Sequence, residues 1–232
     1  MEADSKKHTM QENYQSKEVG MVMKVVKRMI LVILVLVLAA FYSYGIWPRA
    51  IYDSSIGSGS YEVTGALTGD MAVEQQFQCE DNGFSGITIK LTKQDNAVIG
   101  EYQWSVQDVE AGTVIGSGII NETSTENEDF ESGNVQKQGV VELEFPRVEN
   151  SKGKNYVLSI VAQDVRDDQA MAVYITEKGE TGSKLTVEQQ EIEKACVVKV
   201  EYRRFNVETF IVFLVIMAYL LAFIRFMYKL FR

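Results

Sequence analysis

Two cysteines, one histidine and an excess of carboxylates are the side chains of this 232-residue sequence that could do chemistry. His8 lies in a polar N-terminal stretch, where nothing beside it would make it a general base or a metal ligand. Cys79 and Cys196 admit two readings. One is a disulfide, which an oxidising compartment favours if the Cα spacing allows it. The other is a pair of separate buried thiols that behave as small apolar residues. Glu142 and Glu144 share one face of an alternating segment, and paired carboxylates are what glycoside hydrolysis requires across a sugar. Residues 48–208 hold 28 acidic side chains, however, so such pairs arise by chance. Neither G-x-S-x-G, H-E-x-x-H, a Walker loop nor a dinucleotide fingerprint occurs. The expectation is a protein that is not an enzyme, with no catalytic residue and no cofactor.

Binding readings remain. Glu126, Glu128, Asp129 and Glu131 crowd one loop, and Asp164, Asp167 and Asp168 another. Calcium takes about six to eight oxygens, which loops can supply. The D-x-D-x-D-G pattern is missing, so solvated acidic loops are the simpler reading and no metal site is expected. Tyr102 and Trp104 share a strand face and form a candidate glycan platform, with Tyr61, Phe130 and Tyr174 elsewhere. Trp104 alternates with Gln103 and Ser105, which favours a core position. Asn121-Glu122-Thr123 is an N-glycosylation sequon. Residues 48–208 carry 14 basic side chains against those 28 acidic ones, net −14. That balance argues against nucleic acid and against docking of this segment on anionic headgroups.

These residues sit between two apolar runs, Met29 to Trp47 and Thr209 to Met227, each about long enough for a helix to cross a bilayer. Lys24, Lys27 and Arg28 precede the first; Arg225, Lys229 and Arg232 end or follow the second. Lys and Arg near membrane ends favour the cytoplasm. Arg203 and Arg204 act weakly against that assignment. A cleavable signal peptide would need an unusually long basic region before the first run, and no A-x-A-type site is clear. A GPI signal is the rival for the second run, whose closing basic residues suit a stop-transfer helix better. The expected organisation is a cytoplasmic tail over 1–28, disordered through about residue 20, and a first membrane helix over 29–47. A linker and first strand region over 48–71 and an extracytoplasmic domain over 72–206 follow. A second membrane helix over 207–227 and a short cytoplasmic end over 228–232 complete it. The chain would then sit in the cell membrane as a two-pass protein, with the lipid bilayer as a partner of both helices.

The central segment alternates with period two. Ile87, Ile89 and Leu91 face one way, with Thr88, Lys90 and Thr92 the other. Tyr102, Trp104 and Val106 align, as do Val141, Leu143 and Phe145. The same holds for Tyr156, Leu158 and Ile160; for Met171, Val173 and Ile175; and for Cys196, Val198, Val200 and Tyr202. Segments around Val73 to Cys79 and Thr113 to Ile120 bring the expectation to about eight strands. Turns are expected at Asp81-Asn82-Gly83, Gln94-Asp95-Asn96, Ala111-Gly112 and Ser151-Lys152-Gly153. Thr186 to Lys194 reads as a short helix capped by Thr186. Ile51 to Ser60, rich in Ser and Gly, reads as a linker. Pro146 falls at a strand end. The fold class is all-β: a jelly-roll-like β-sandwich between two transmembrane helices.

The stretch from Gln76 to about Asp164 carries Gln76-Phe77, then Phe84-Ser85-Gly86-Ile87, then Ser151 to Tyr156 leading into a strand. Over about 90 residues it resembles the extracytoplasmic jelly-roll domains attached to bacterial polysaccharide and glycosyltransferase-type membrane proteins. The resemblance implies a sandwich, a bacterial envelope setting and a glycan or envelope-protein partner; it carries over no catalytic residue. Full-size relatives have many membrane helices, whereas this sequence has two apolar runs. An accessory role beside a membrane glycosyltransferase or transporter is therefore the alternative. The two-span layout is also similar to that of polysaccharide chain-length regulators. Their external domain is helix-rich, and a proline-rich stretch precedes their second span. Here Arg203 to Glu208 has no proline.

Overall fold

The computed structural model describes residues 2–93, 98–122, 139–179 and 182–231. It divides into two units, residues 1–45 with 205–232, and residues 46–204. The first unit holds helix α1 (Glu2–Ser43) and helix α2 (Val207–Leu230). Val25–Ser43 and Val207–Leu230 are both long and apolar enough to cross a membrane. Ala39 and Ser43, four residues apart on α1, are fully buried. Small residues at that spacing let two helix backbones approach closely. The Tyr42 ring lies 5.5 Å from that of Phe213 of α2, tilted by 34°. Asn206 N–H donates to Ser43 O at 2.8 Å, and Asn206 Oδ1 caps α2 by accepting from Thr209 N at 3.0 Å.

Two expectations change here. The backbone is helical from Glu2, where composition predicts a disordered tail. Glu, Lys, Gln and Met, all good helix formers, dominate that stretch, and no proline interrupts it. The first apolar helix also ends at Ser43 rather than Trp47. Gly45 is a weak helix former, and Pro48 disfavours helical geometry at Trp47. Tyr44–Ala50 forms strand β1 instead.

The second unit is built on two antiparallel sheets. One runs β1, β13 (Val198–Phe205), β4 (Phe84–Lys93), β9 (Met171–Thr176), β12 (Ala195–Cys196). In it β2 (Glu62–Val63) also pairs β9, and β7 (Val140–Val148) pairs β4. The other runs β11 (Gln190–Ile192), β10 (Lys184–Val187), β3 (Ala72–Gln78), β8 (Asn155–Ala162), β5 (Tyr102–Asp108), β6 (Thr113–Ile120). Backbone bonds between Ser43 and Asn206 and between Ile51 and Val198 bracket β1 and set it antiparallel to β13. Registers such as Ile87↔Val200 and Gln75↔Leu158 put every alternating apolar set on one side. A one-residue slip would turn each set outward, so the pattern itself fixes register.

Both sheets contribute to one core. Phe84 of the first sheet meets Phe77 at 5.7 Å and Tyr156 at 5.0 Å, both from the second. Ile87, Ile89, Leu143, Leu158, Ile160, Val198 and Val200 surround them, each at most 2 % exposed. Burying each such side chain contributes about 1.5–3 kcal/mol against leaving it in water. Two glycines on β6 make room for the largest neighbours. A Cβ on Gly116 would lie 2.6 Å from Phe145 Cβ, and one on Gly118 would lie 2.7 Å from the Trp104 indole. Pro146 sits where β7 slips against β4, between the Gly86↔Glu144 and Phe84↔Val148 pairs, a bulge on an edge strand that needs no ladder donor.

Thr186 to Lys194 is not a helix. Glu188 and Gln189, with φ of 49° and 65°, form the turn of the β10–β11 hairpin. Two consecutive positive φ values match the right-handed twist of the flanking strands, and that geometry prevails over the Thr186 capping pattern. Nor is Ile51 to Ser60 a free linker. Ile51 and Tyr52 are buried, and Tyr52 bridges to Lys178. Burial of these two apolar side chains fixes a segment whose Ser/Gly content supplies only its turns.

Candidate functional site

The outward face of the first sheet is where unlike side chains converge. Alternation on β4 turns Gly86, Thr88 and Lys90 away from the core. Register then sets two rows across β7, β4 and β13: Glu144, Gly86, Glu201 and Glu142, Thr88, Lys199. One step further along β4 lies Lys90, only 7 % exposed. Its ammonium lies 5.0 Å from the ring centre of Tyr174 and 5.5 Å from that of Tyr61. Tyr61 reaches this position because the segment after Ile51 folds over the sheet and β2 pairs with β9. Tyr61 meets Tyr52 edge-on at 6.0 Å and Tyr174 at 6.5 Å.

The Tyr52 and Tyr61 rings and the Lys90 ammonium border a cleft of about 200 Å³, lined by these three with Ser58, Thr88, Ile89, Val140, Val197 and Lys199. Burial lowers the pKa of the Lys90 ammonium. Burial also raises the Tyr52 phenol, helped by its hydrogen bond to Tyr61. The Tyr52 hydroxyl therefore stays neutral at physiological pH and can both donate and accept. In the neighbouring acidic row, burial raises the Glu201 carboxyl, and Glu142 and Glu144 add to the rise. Thr88 Oγ1 donates to Glu201 Oε1. Chemically the cleft can stack a ring or a CH face and hydrogen-bond hydroxyls.

The expected platform of Tyr102 and Trp104 is corrected. Tyr102 is fully buried and Trp104 is 6 % exposed, because their side of β5 faces the shared core. No ring face is left for a ligand. The disulfide reading of Cys79 and Cys196 is corrected as well: both are free and buried. Cys79 closes β3 of the second sheet, hydrogen-bonded to the Tyr202 hydroxyl, whereas Cys196 ends β12 of the first. Burial pushes each thiol up to about 12. Glu142 and Glu144 do share the exposed face of β7, and Glu201 lies in the same row as Glu144, across Gly86. Asp168 pairs with Arg166 at 3.0 Å, and Asp164 occupies a turn with φ of 50°. Glu126, Glu128, Asp129, Phe130, Glu131, Thr123 of the sequon and the Gln94-Asp95-Asn96 turn lie outside the described residues. Among the described residues no three Cys, His, Asp or Glu side chains are grouped to hold a metal ion.

Sequence reasoning missed Tyr52, Lys90 and Lys199 as site residues. Lys90 and Tyr174 were legible as outward strand positions, but only the pairing of β4 with β9 and of β9 with β2 brings them under Tyr61.

No known protein family matches the sequence, and no curated protein does. Among solved structures the chain is similar to the cysteine protease and lectin-like domains of Cwp84, a surface layer associated protein of Clostridium difficile. The TM-score is 0.38 and the identity 8 %, over 59 % of this chain and 33 % of that one. The chain thus spans about a third of that protein's length, and a likeness of this size carries no functional argument.

Proposed function

We propose that this is a two-pass bacterial membrane protein that displays a jelly-roll-like β-sandwich outside the cell and binds glycan through the cleft over β4. The observation that carries the reading is the partly exposed Tyr61 ring in the cleft, which stands beside the Tyr52 hydroxyl and the Lys90 and Lys199 ammoniums. Sugars present apolar CH faces and equatorial hydroxyls, and such an arrangement answers both. The two apolar helices and the basic residues beside them support a membrane setting with both termini inside. The reading is one of binding without turnover.

Glycan-array binding by the full chain in nanodiscs tests it. A defined set of bound oligosaccharides is expected, with Tyr61→Ala lowering affinity at least tenfold. A blank array alongside a specific envelope protein recovered by pulldown would discard the glycan reading.

A second reading, an accessory subunit of a polysaccharide-synthesis or transport complex, draws on α2. None of its residues is buried, so apart from the contact with α1 its apolar surface is open to lipid or partner helices. Crosslinking in native membranes distinguishes the two: a discrete multi-span partner favours the subunit, and monomer alone counts against it.

A further inference from the structure

The charge of the cleft is opposite to that of its surroundings. Acidic side chains outnumber basic ones two to one across residues 48–208. Yet the residues lining the cleft include Lys90 and Lys199 and no carboxylate. The two lysines project from the same face of adjacent strands. Thr88 is directly opposite Lys199, and Lys90 follows two positions along β4, so the lysines form a diagonal pair. Two like charges on one face of neighbouring strands gather positive potential at the cleft. Lys90 is in addition nearly withdrawn from water, which is costly for an ammonium. The faces of Tyr174 and Tyr61, at 5.0 and 5.5 Å, stabilise that ammonium. Lys199 is exposed at the cleft and makes no ion pair among the described residues. Its closest charged row-mate is Glu142, across Thr88.

We infer that the cleft selects glycans bearing an anionic group, which seats against Lys199 at the mouth of the cleft, beside Lys90, while the adjoining ring or polyol packs on Tyr61. The inference rests on the glycan-binding reading above and narrows it. The anion can be the carboxylate of a uronic acid or the phosphodiester of a polyol phosphate chain. Either gives a charge-assisted hydrogen bond with the ammonium, stronger than one from a neutral hydroxyl. The acidic remainder of the domain repels the rest of a polyanion, which favours recognition of a single residue or chain end over wrapping along a polymer.

The full chain in nanodiscs of neutral lipid is titrated calorimetrically with three probes. They are an oligogalacturonate, the same oligomer fully methyl-esterified, and an oligomeric glycerol phosphate. At least tenfold tighter binding of one charged probe than of the neutral ester is expected, and the tighter one identifies carboxylate or phosphate as the anion. Lys199→Gln, at an exposed position, should erase that difference between the charged probe and the neutral ester. Equal affinity for charged and esterified oligomers, or a preference that survives Lys199→Gln, overturns the anion inference while glycan binding stands. If none of the three probes binds and the glycan array is also blank, the glycan reading itself falls and takes this inference with it.

Discussion

The hydroxyl of Tyr102 donates to Leu67 O at 2.8 Å and accepts from Met171 N at 2.9 Å, in a fully buried position. Tyr102→Phe keeps the ring and strands both backbone groups. A loss of about 1–3 kcal/mol is expected in chemical denaturation, the cost of buried groups left unpaired. Gln75 plays a comparable part between the sheets. Its amide donates to Gln76 O and Lys184 O, and its Oε1 accepts from Cys196 N at 2.8 Å. That tie from β3 to β12 explains how a glutamine can be fully buried. Glu201 behaves oppositely to these satisfied groups. Burial first, then Glu142 and Glu144, raise its carboxyl above the ordinary value, outweighing the Thr88 hydrogen bond. The fold therefore favours the protonated form. That contribution is complete below the ordinary carboxylate range and is lost as pH rises through the raised value. Glu201→Gln, which can still accept from Thr88, is expected to raise the melting temperature at pH 7 and leave it nearly unchanged at pH 3. An equal shift at both pH values would mean that ionisation is not the cause.

At the scale of elements, the β10–β11 turn uses Glu188 and Gln189 where asparagine and glycine suit positive φ far better. Left-handed backbone costs roughly 1–2 kcal/mol for an ordinary residue. Replacing the pair with Glu188→Asn and Gln189→Gly should stabilise the domain by about 1 kcal/mol or more in denaturant unfolding, and no gain would show that the turn is not strained. The same hairpin marks where the sequence stops being readable. Period-two alternation identifies β3, β4, β5, β7, β8, β9 and β13, since each buries one face. Short elements such as β2, β10 and β11 have too few residues to show a period, and Thr186 with Gln189 imitates a helix start. The end of α1 was misplaced for a related reason. Apolar content continues through Ile46 and Trp47, and only partnership with β13 turns those residues into strand. The cleft was less legible than the core because its residues come from β4, β7, the stretch into β13 and the segment after Ile51. No local pattern in the sequence joins them.

At the scale of the whole molecule, the proposed topology can be read with cysteine reporters. Both native thiols are buried with pKa values pushed up to about 12, so they should remain silent toward maleimide in the folded protein. Ser54→Cys, at an exposed position of the 46–204 unit, is expected to react with an impermeant maleimide in intact cells. Ser5→Cys should react only after permeabilisation. Labelling of Ser5→Cys in intact cells would place the N-terminus outside and reverse the assignment drawn from the basic residues.

The strands β1 and β13 follow and precede the two helices directly, and they are neighbours in one sheet. Drawing the helices apart sideways would therefore load the β1–β13 pair as a zipper, beginning at the bond between Ser43 and Asn206. Such a pair yields one rung at a time under modest tension, whereas the same pair pulled along its length must break all its rungs together. The β1–β13 pair thus limits how far the two helices can separate before the first strand peels away. Force spectroscopy with handles on the two helices would register that peeling as the earliest event, well before the core opens.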